Sequence, residues 1–220
     1  MISAVLFDFD GVLADTIDAN VEFIQSLLKQ NGYDEPSYNE VKSVFYMTYF
    51  DTIKHLTGEK SERRIKELMD ADVDFPHHLV RPPPGEKEVL SYLNARYKLG
   101  IVSSARLGYL LPDFDRLGIT KYFSTVVTEE DTKMHKPHPE PLLLAARRLN
   151  VESARCVYVG DYPSDVMAAR SAGMKSILLS DENFPLADAV LDDFRDIPQA
   201  VARLAGRQAG QSYMNPATAP

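Results

Sequence analysis

Apolar residues along this chain gather in short blocks rather than in one long stretch. The blocks at Ile2 to Phe7, Leu99 to Ser103, Cys156 to Gly160 and Lys175 to Leu179 are of strand length and nearly continuous in apolar side chains. That is the pattern of strands buried on both faces. Thr125 to Thr128 is a fifth, weaker block. Between the blocks the period turns helical. Gly85 to Tyr97 follows Pro82-Pro83-Pro84, and Leu107 to Leu117 stops at Gly118. Pro139 to Leu149 carries Leu142, Leu143, Ala146 and Leu149 at helical spacing, and Asp165 to Ala172 ends at Gly173. Strand alternating with helix predicts an α/β fold, a Rossmann-like parallel sheet core with helices on both faces.

One interval breaks that rhythm. From Asp15 to Pro83, about 70 residues contain no strand pattern, and this is the size of a small domain. Thr16 to Gln30 reads as an amphipathic helix through Ile17, Val21, Ile24, Leu27 and Leu28, and Asn39 to Leu56 and Ser61 to Met69 read as further helices. The expected organisation is a discontinuous α/β core, residues 1–14 and 84–205, with an inserted small all-helical cap at 15–83. A tail at 206–220, rich in small and polar residues, is expected to be flexible.

Composition then narrows the partners. Acidic residues outnumber basic ones 32 to 24, a net charge of −8. Neither nucleic acid nor an anionic membrane is an expected partner for so acidic a chain; a small molecule is. No apolar run approaches the roughly 18 residues of a membrane helix. The start, Met1 to Asp8, lacks the basic lead of a secretory signal, so a cytoplasmic location is expected. The one cysteine, Cys156, sits in an apolar run and reads as a buried small hydrophobe. The oligomeric state is left open by the sequence.

Candidate chemistry lies at the strand ends, where parallel sheets bind ligands. The first strand runs into Phe7-Asp8-Phe9-Asp10-Gly11. Two acids so placed are costly in a core and natural in a site, although solvated loop acids would look the same. The second ends in Ser103-Ser104-Ala105-Arg106, offering hydroxyls and free N–H groups at a helix start, a geometry for anions. Ser103 reads equally as a helix cap. His135-Lys136-Pro137-His138-Pro139 follows the next strand, its lysine held between prolines. The fourth ends in Gly160-Asp161-Tyr162-Pro163-Ser164-Asp165, where Asp165 is also placed to cap the following helix.

In this order, the four segments resemble the motifs of the haloacid dehalogenase superfamily, over Ile2 to about Leu179. The helical insertion falls where the superfamily's helical-cap (C1) branch, which includes phosphoglycolate phosphatases and β-phosphoglucomutases, places it. The resemblance implies a Mg2+-dependent phosphatase acting on a small phosphate monoester, such as a sugar or polyol phosphate or phosphoglycolate, through an aspartyl-phosphate. It makes Asp8 the nucleophile and Asp10 the acid and base. Ser103, Lys136 and the backbone N–H groups of Phe9, Asp10 and Ser104 would hold the phosphoryl group. Mg2+ would be held by Asp8, the Asp10 carbonyl and Asp161, with Asp165 bound directly or through water. The acid at Asp10 matches relatives that protonate an alkoxide leaving group.

The alternatives are a mutase similar to β-phosphoglucomutase and, more remotely, a non-catalytic binding or regulatory protein with a decayed site. The presence of every motif acid and the lysine counts against the second. The mutases carry a histidine one turn after the first motif, where this chain has Asn20, and a basic cap-loop residue where it has Tyr49. Tyr46 and Tyr49 therefore predict an uncharged lid that favours neutral leaving groups, although Phe45, Tyr49 and Thr52 also share the spacing of a packed helix face. Should the leaving group be anionic, Arg106, Lys54 and His55 are the expected readers. Arg106 reads equally as a solvated arginine at a helix start.

Overall fold

The computed structural model describes residues 1–206, so the expected flexible tail beyond Gly206 lies outside the described residues. Six strands form one wholly parallel sheet: β1 (Ala4–Phe7), β2 (Lys98–Val102), β3 (Thr125–Val127), β4 (Cys156–Gly160), β5 (Lys175–Leu179) and β6 (Ala189–Leu191). Their order is β3-β2-β1-β4-β5-β6. The chain leaves β1 toward β2 and β3 on one side, then returns to β4 and continues toward β6 on the other. The crevice beyond the carboxyl ends of β1 and β4 is therefore the switch point at which such sheets take ligands.

Helices α1 (Ile17–Gln30), α2 (Tyr38–Ser43), α3 (Tyr49–Thr57) and α4 (Glu62–Met69) come between β1 and α5 (Glu86–Asn94). The later ones are α6 (Leu107–Leu117), α7 (Glu140–Arg148), α8 (Pro163–Ser171) and α9 (Ile197–Leu204). The two-residue period of β1 divides the core. Val5 and Phe7 pack with Leu90 of α5, Phe114 of α6 and Ile197 of α9, whereas Ala4 and Leu6 pack with Leu142 of α7 and Ala168 of α8. Burying a side chain such as Phe7 completely is worth about 1.5–3 kcal/mol, and both faces of β1 collect that gain. Cys156 is buried at the start of β4, as its surroundings suggest.

The helices between β1 and α5 have apolar clusters of their own, one around Phe23, Ile24 and Val41 and one around Leu27, Ile53 and Leu68. The two chain crossings at the edge of this segment are tied together, since Asp15 and Arg81 exchange backbone hydrogen bonds of 2.8 and 3.1 Å. Among the described residues, no helix is long and apolar enough to cross a membrane.

Two sequence expectations need correction. Asn39 to Leu56 is not one helix, because Thr48 starts a new one: its hydroxyl accepts from Asp51 N–H at 3.2 Å and donates to the Asp51 carboxylate at 2.8 Å. Phe45 and Tyr49 therefore do not share a helical face, and Tyr46 and Met47 lie in the intervening turn. The sheet also has a sixth strand. All three residues of β6 are only half-buried, and a short edge strand carries little apolar signal.

Candidate active site

β1 ends on Phe7, and Asp8 emerges beyond it with its own N–H bound to the Val159 carbonyl of β4 at 2.8 Å. Its carboxylate is buried. One oxygen accepts from Phe9 N–H at 2.8 Å, and the other accepts from the Lys136 ammonium at 2.5 Å. Lys136 reaches the Asp165 carboxylate at 2.8 Å and the Tyr158 hydroxyl at 3.1 Å. An ammonium has three N–H donors, so this lysine, only 5% exposed, is saturated.

Asp165 lies in the first turn of α8. One of its oxygens takes the Asp161 and Tyr162 N–H groups, at 3.2 and 3.0 Å, and the other takes Lys136. It thus closes the turn after β4 and anchors the lysine together. Two glycines make room for the acids. Gly11 stands at φ +73°, in the left-handed region, and a Cβ there would run into the Asp161 carboxylate. A Cβ on Gly160 would run into the Asp165 side chain.

Asp10 stands two residues past Asp8. Its carboxylate accepts from the Thr16 hydroxyl at 2.6 Å and, more distantly, from the Ser103 hydroxyl at 3.5 Å. Ser103, buried past the end of β2, accepts from Ala105 N–H at 3.0 Å, so it also braces the turn into α6.

Electrostatics at this cluster are dominated by burial. Burial raises Asp8, Lys136 opposes it and Asp165 adds to it, leaving the carboxyl at about 7. Asp10 is raised by burial against the pull of the Thr16 hydrogen bond. Asp161 is raised well above the ordinary range by burial, then by Asp165 and Asp8. Burial draws Lys136 down, but Asp165 and Asp8 outweigh it and hold the ammonium above its usual range. Asp8, Asp161 and Asp165 each offer an oxygen within 4.8 Å of the others. Four acids gathered around one lysine leave an uncompensated negative charge when ionised. A hard divalent cation with oxygen ligands fits that donor set.

These groups open into a cavity of about 90 Å3, lined also by Asn20, Tyr46, Tyr49, Ser104 and Tyr162. Asn20 donates to the Thr16 carbonyl at 3.0 Å. The Tyr49 hydroxyl is buried with no partner at hydrogen-bond distance, and burial raises its pKa. Tyr46 is exposed, its ring 6.0 Å from that of Tyr162. Arg106 does not join the cluster. It pairs with Asp70 at 3.1 Å and Glu130 at 3.8 Å and lines a smaller neighbouring cavity with Asp113 and Tyr109. Tyr158 and Thr16 are the site residues that the sequence reading did not single out. The signal was available for Tyr158, a lone hydroxyl in an otherwise apolar strand that needs a buried partner.

Known proteins resemble this chain in sequence and in fold. The sequence profile of the haloacid dehalogenase-like hydrolases matches residues 5–179. The pyrophosphatase PpaX of Bacillus velezensis is 31% identical over 176 residues, 80% of this chain and 82% of that one. A phosphoglycolate phosphatase of Salmonella typhimurium is 36% identical over 163 residues, 66% of this chain and 62% of its own length. In fold, the chain is similar to the crystal structure of β-phosphoglucomutase from Clostridium difficile. The TM-score is 0.78 at 24% identity, over 94% of this chain and all (100%) of that one.

Proposed function

The chain belongs to the haloacid dehalogenase-like hydrolases, and from that premise we propose that it is a Mg2+-dependent phosphatase of small phosphate monoesters working through an aspartyl-phosphate on Asp8. The observation that carries this reading is the Asp8–Lys136–Asp165 chain, which aims a buried carboxylate into the cavity beside Asp10.

Asp8 attacks phosphorus as a carboxylate, forming a new P–O bond as the ester P–O bond breaks. Lys136 holds that carboxylate in one direction and offsets charge on the phosphoryl oxygens. Asp10, whose raised pKa suits a proton donor, protonates the departing alkoxide. It then takes the proton from the water that attacks the aspartyl-phosphate. Ser103 and the N–H groups of Phe9, Asp10 and Ser104 cradle the transferring group, the Phe9 N–H exchanging its present bond to Asp8 for part of that task. Asp8, Asp161 and the Asp10 carbonyl are the residues that would hold Mg2+, which supplies charge neutralisation at the phosphoryl oxygens. Both Asp165 oxygens already have protein donors, which favours contact to the ion through water. The helices from 15 to 83 act as the lid, with Asn20, Tyr46 and Tyr49 facing the leaving group and excluding water.

Sugar and polyol phosphates and phosphoglycolate are the leading substrate classes. Pyrophosphate is a second reading, favoured by the names of relatives that match most of the chain. A mutase is the weaker reading, because Asn20 has no titratable group to serve a second proton transfer.

The test is phosphate release from p-nitrophenyl phosphate and a panel of small esters, with Mg2+ and with chelator. Turnover that Mg2+ supports, chelator abolishes and Ca2+ fails to restore is expected, since Ca2+ takes more ligands at longer range. Full turnover in exhaustively chelated protein would overturn the metal assignment, and no turnover on any ester would overturn the phosphatase reading.

A further inference from the structure

A second and larger hollow, of about 1260 Å3, adjoins the catalytic cavity. It lies between the α2–α3 segment on one side and the 133–137 loop with the start of α8 on the other. The two spaces share Tyr46, Met47, Lys136, Tyr162 and Ser164. The two spaces meet at the Tyr46 and Tyr162 rings, whose centroids are 6.0 Å apart, so a phosphoryl group beside Asp8 lies next to this cleft with those rings at the boundary.

The cleft's charge runs against the rest of the protein. In a chain of net charge −8, its walls carry Lys42 near the end of α2, Lys54 and His55 on α3, and Lys133 and His135 ahead of Lys136. The acid among them is Asp51, already bound to the Thr48 hydroxyl in the first turn of α3. Lys42, Lys54 and Lys133 are exposed and make no ion pair among the described residues. Basic side chains converging on one hollow focus potential into it and raise the encounter rate of anions. The entrance is apolar, formed by the tyrosine rings and Met47, and suits the uncharged body of a leaving group.

We infer that this cleft receives the leaving group of the substrate, and that this leaving group is extended and carries a second anionic group at its far end, read by Lys42, Lys54 and Lys133. The inference rests on the phosphatase reading of the adjoining site. It reverses the expectation of a neutral leaving group. Tyr46 and Tyr49 are indeed uncharged, but the cation set stands beyond them, where Lys54 and His55 are joined by residues distant in sequence. Arg106 is occupied by Asp70 and Glu130 and is not part of it.

The experiment compares kcat/KM for hexyl phosphate and 1,6-hexanediol bisphosphate in the wild type and in the triple variant Lys42→Gln, Lys54→Gln, Lys133→Gln, with p-nitrophenyl phosphate as a compact reference. The wild type should favour the bisphosphate by about 10-fold or more at low ionic strength, a preference that shrinks as salt rises. In the triple variant the ratio should fall to within about twofold. A wild type that favours hexyl phosphate, or a ratio the triple variant leaves unchanged while both esters are cleaved, overturns the inference and leaves the phosphatase reading standing. Release of phosphate from none of the three overturns that reading and the inference with it.

Discussion

Replacing Tyr158 by phenylalanine removes one oxygen and keeps the ring, so the packing of this fully buried side chain is preserved and the effect isolates the hydroxyl. That hydroxyl donates to the Val102 carbonyl at 3.1 Å and accepts from Lys136 at 3.1 Å. Without it, one N–H of a buried ammonium faces no acceptor, a loss of about 1.5–3 kcal/mol for a bond to a charged group. The Val102 carbonyl loses a neutral donor worth about 0.5–1.5 kcal/mol. Together Tyr158→Phe should destabilise the fold by about 2–4.5 kcal/mol, or roughly 4–18 °C in melting temperature for a chain of this size. The lysine keeps Asp8 and Asp165 but loses its third anchor, so kcat should fall about 3–10-fold. The assay is urea unfolding followed by circular dichroism, paired with phosphate release. A destabilisation under about 0.5 kcal/mol together with unchanged kcat would refute the view that Tyr158 bridges the sheet and the lysine.

Two further outcomes follow from the same geometry. Asp8→Asn should fold and should lose at least ~10³-fold in kcat, the scale on which removing a covalent nucleophile acts; more than a tenth of wild-type turnover would exclude Asp8 from that role. Glu86, buried at the start of α5 with an unpartnered carboxyl oxygen, is raised from 4.5 to about 7 by burial, against the opposing pull of Lys87. A carboxyl whose pKa is higher in the folded state favours folding while protonated, and that contribution is lost as pH rises from about 4.5 through about 7. Glu86→Gln should therefore gain melting temperature over the wild type with rising pH, by roughly 5–10 °C between pH 5 and 8. A constant difference across that range would contradict the assignment.

The sheet was legible because its strands are buried on both faces. Apolar runs such as Cys156 to Gly160 leave few other readings, and acids at their carboxyl ends mark the crevice. Asp8, Asp10, Lys136, Asp161 and Asp165 line one cavity, with Ser103 behind Asp10, because the segments that carry them all leave the sheet at the carboxyl ends of its strands. β6 was not legible, since an edge strand needs little burial. The break at Thr48 was missed because helical spacing persists across a cap whose Thr-Asp exchange is a local polar event. Side-chain direction was also out of reach. Nothing in the order of residues says that Arg106 turns to Asp70, or that lysines from α2, α3 and the 133–137 loop face one hollow.

Covalent trapping tests the central claim most directly. Wild-type protein is mixed with excess substrate and Mg2+, quenched in acid within milliseconds and reduced with borohydride, which converts an aspartyl-phosphate to homoserine. Peptide mass spectrometry should find homoserine at position 8, dependent on substrate, with Asp10, Asp161 and Asp165 unchanged. Steady phosphate release with Asp8 unmodified at every quench time, or the modification at another acid, would contradict the account.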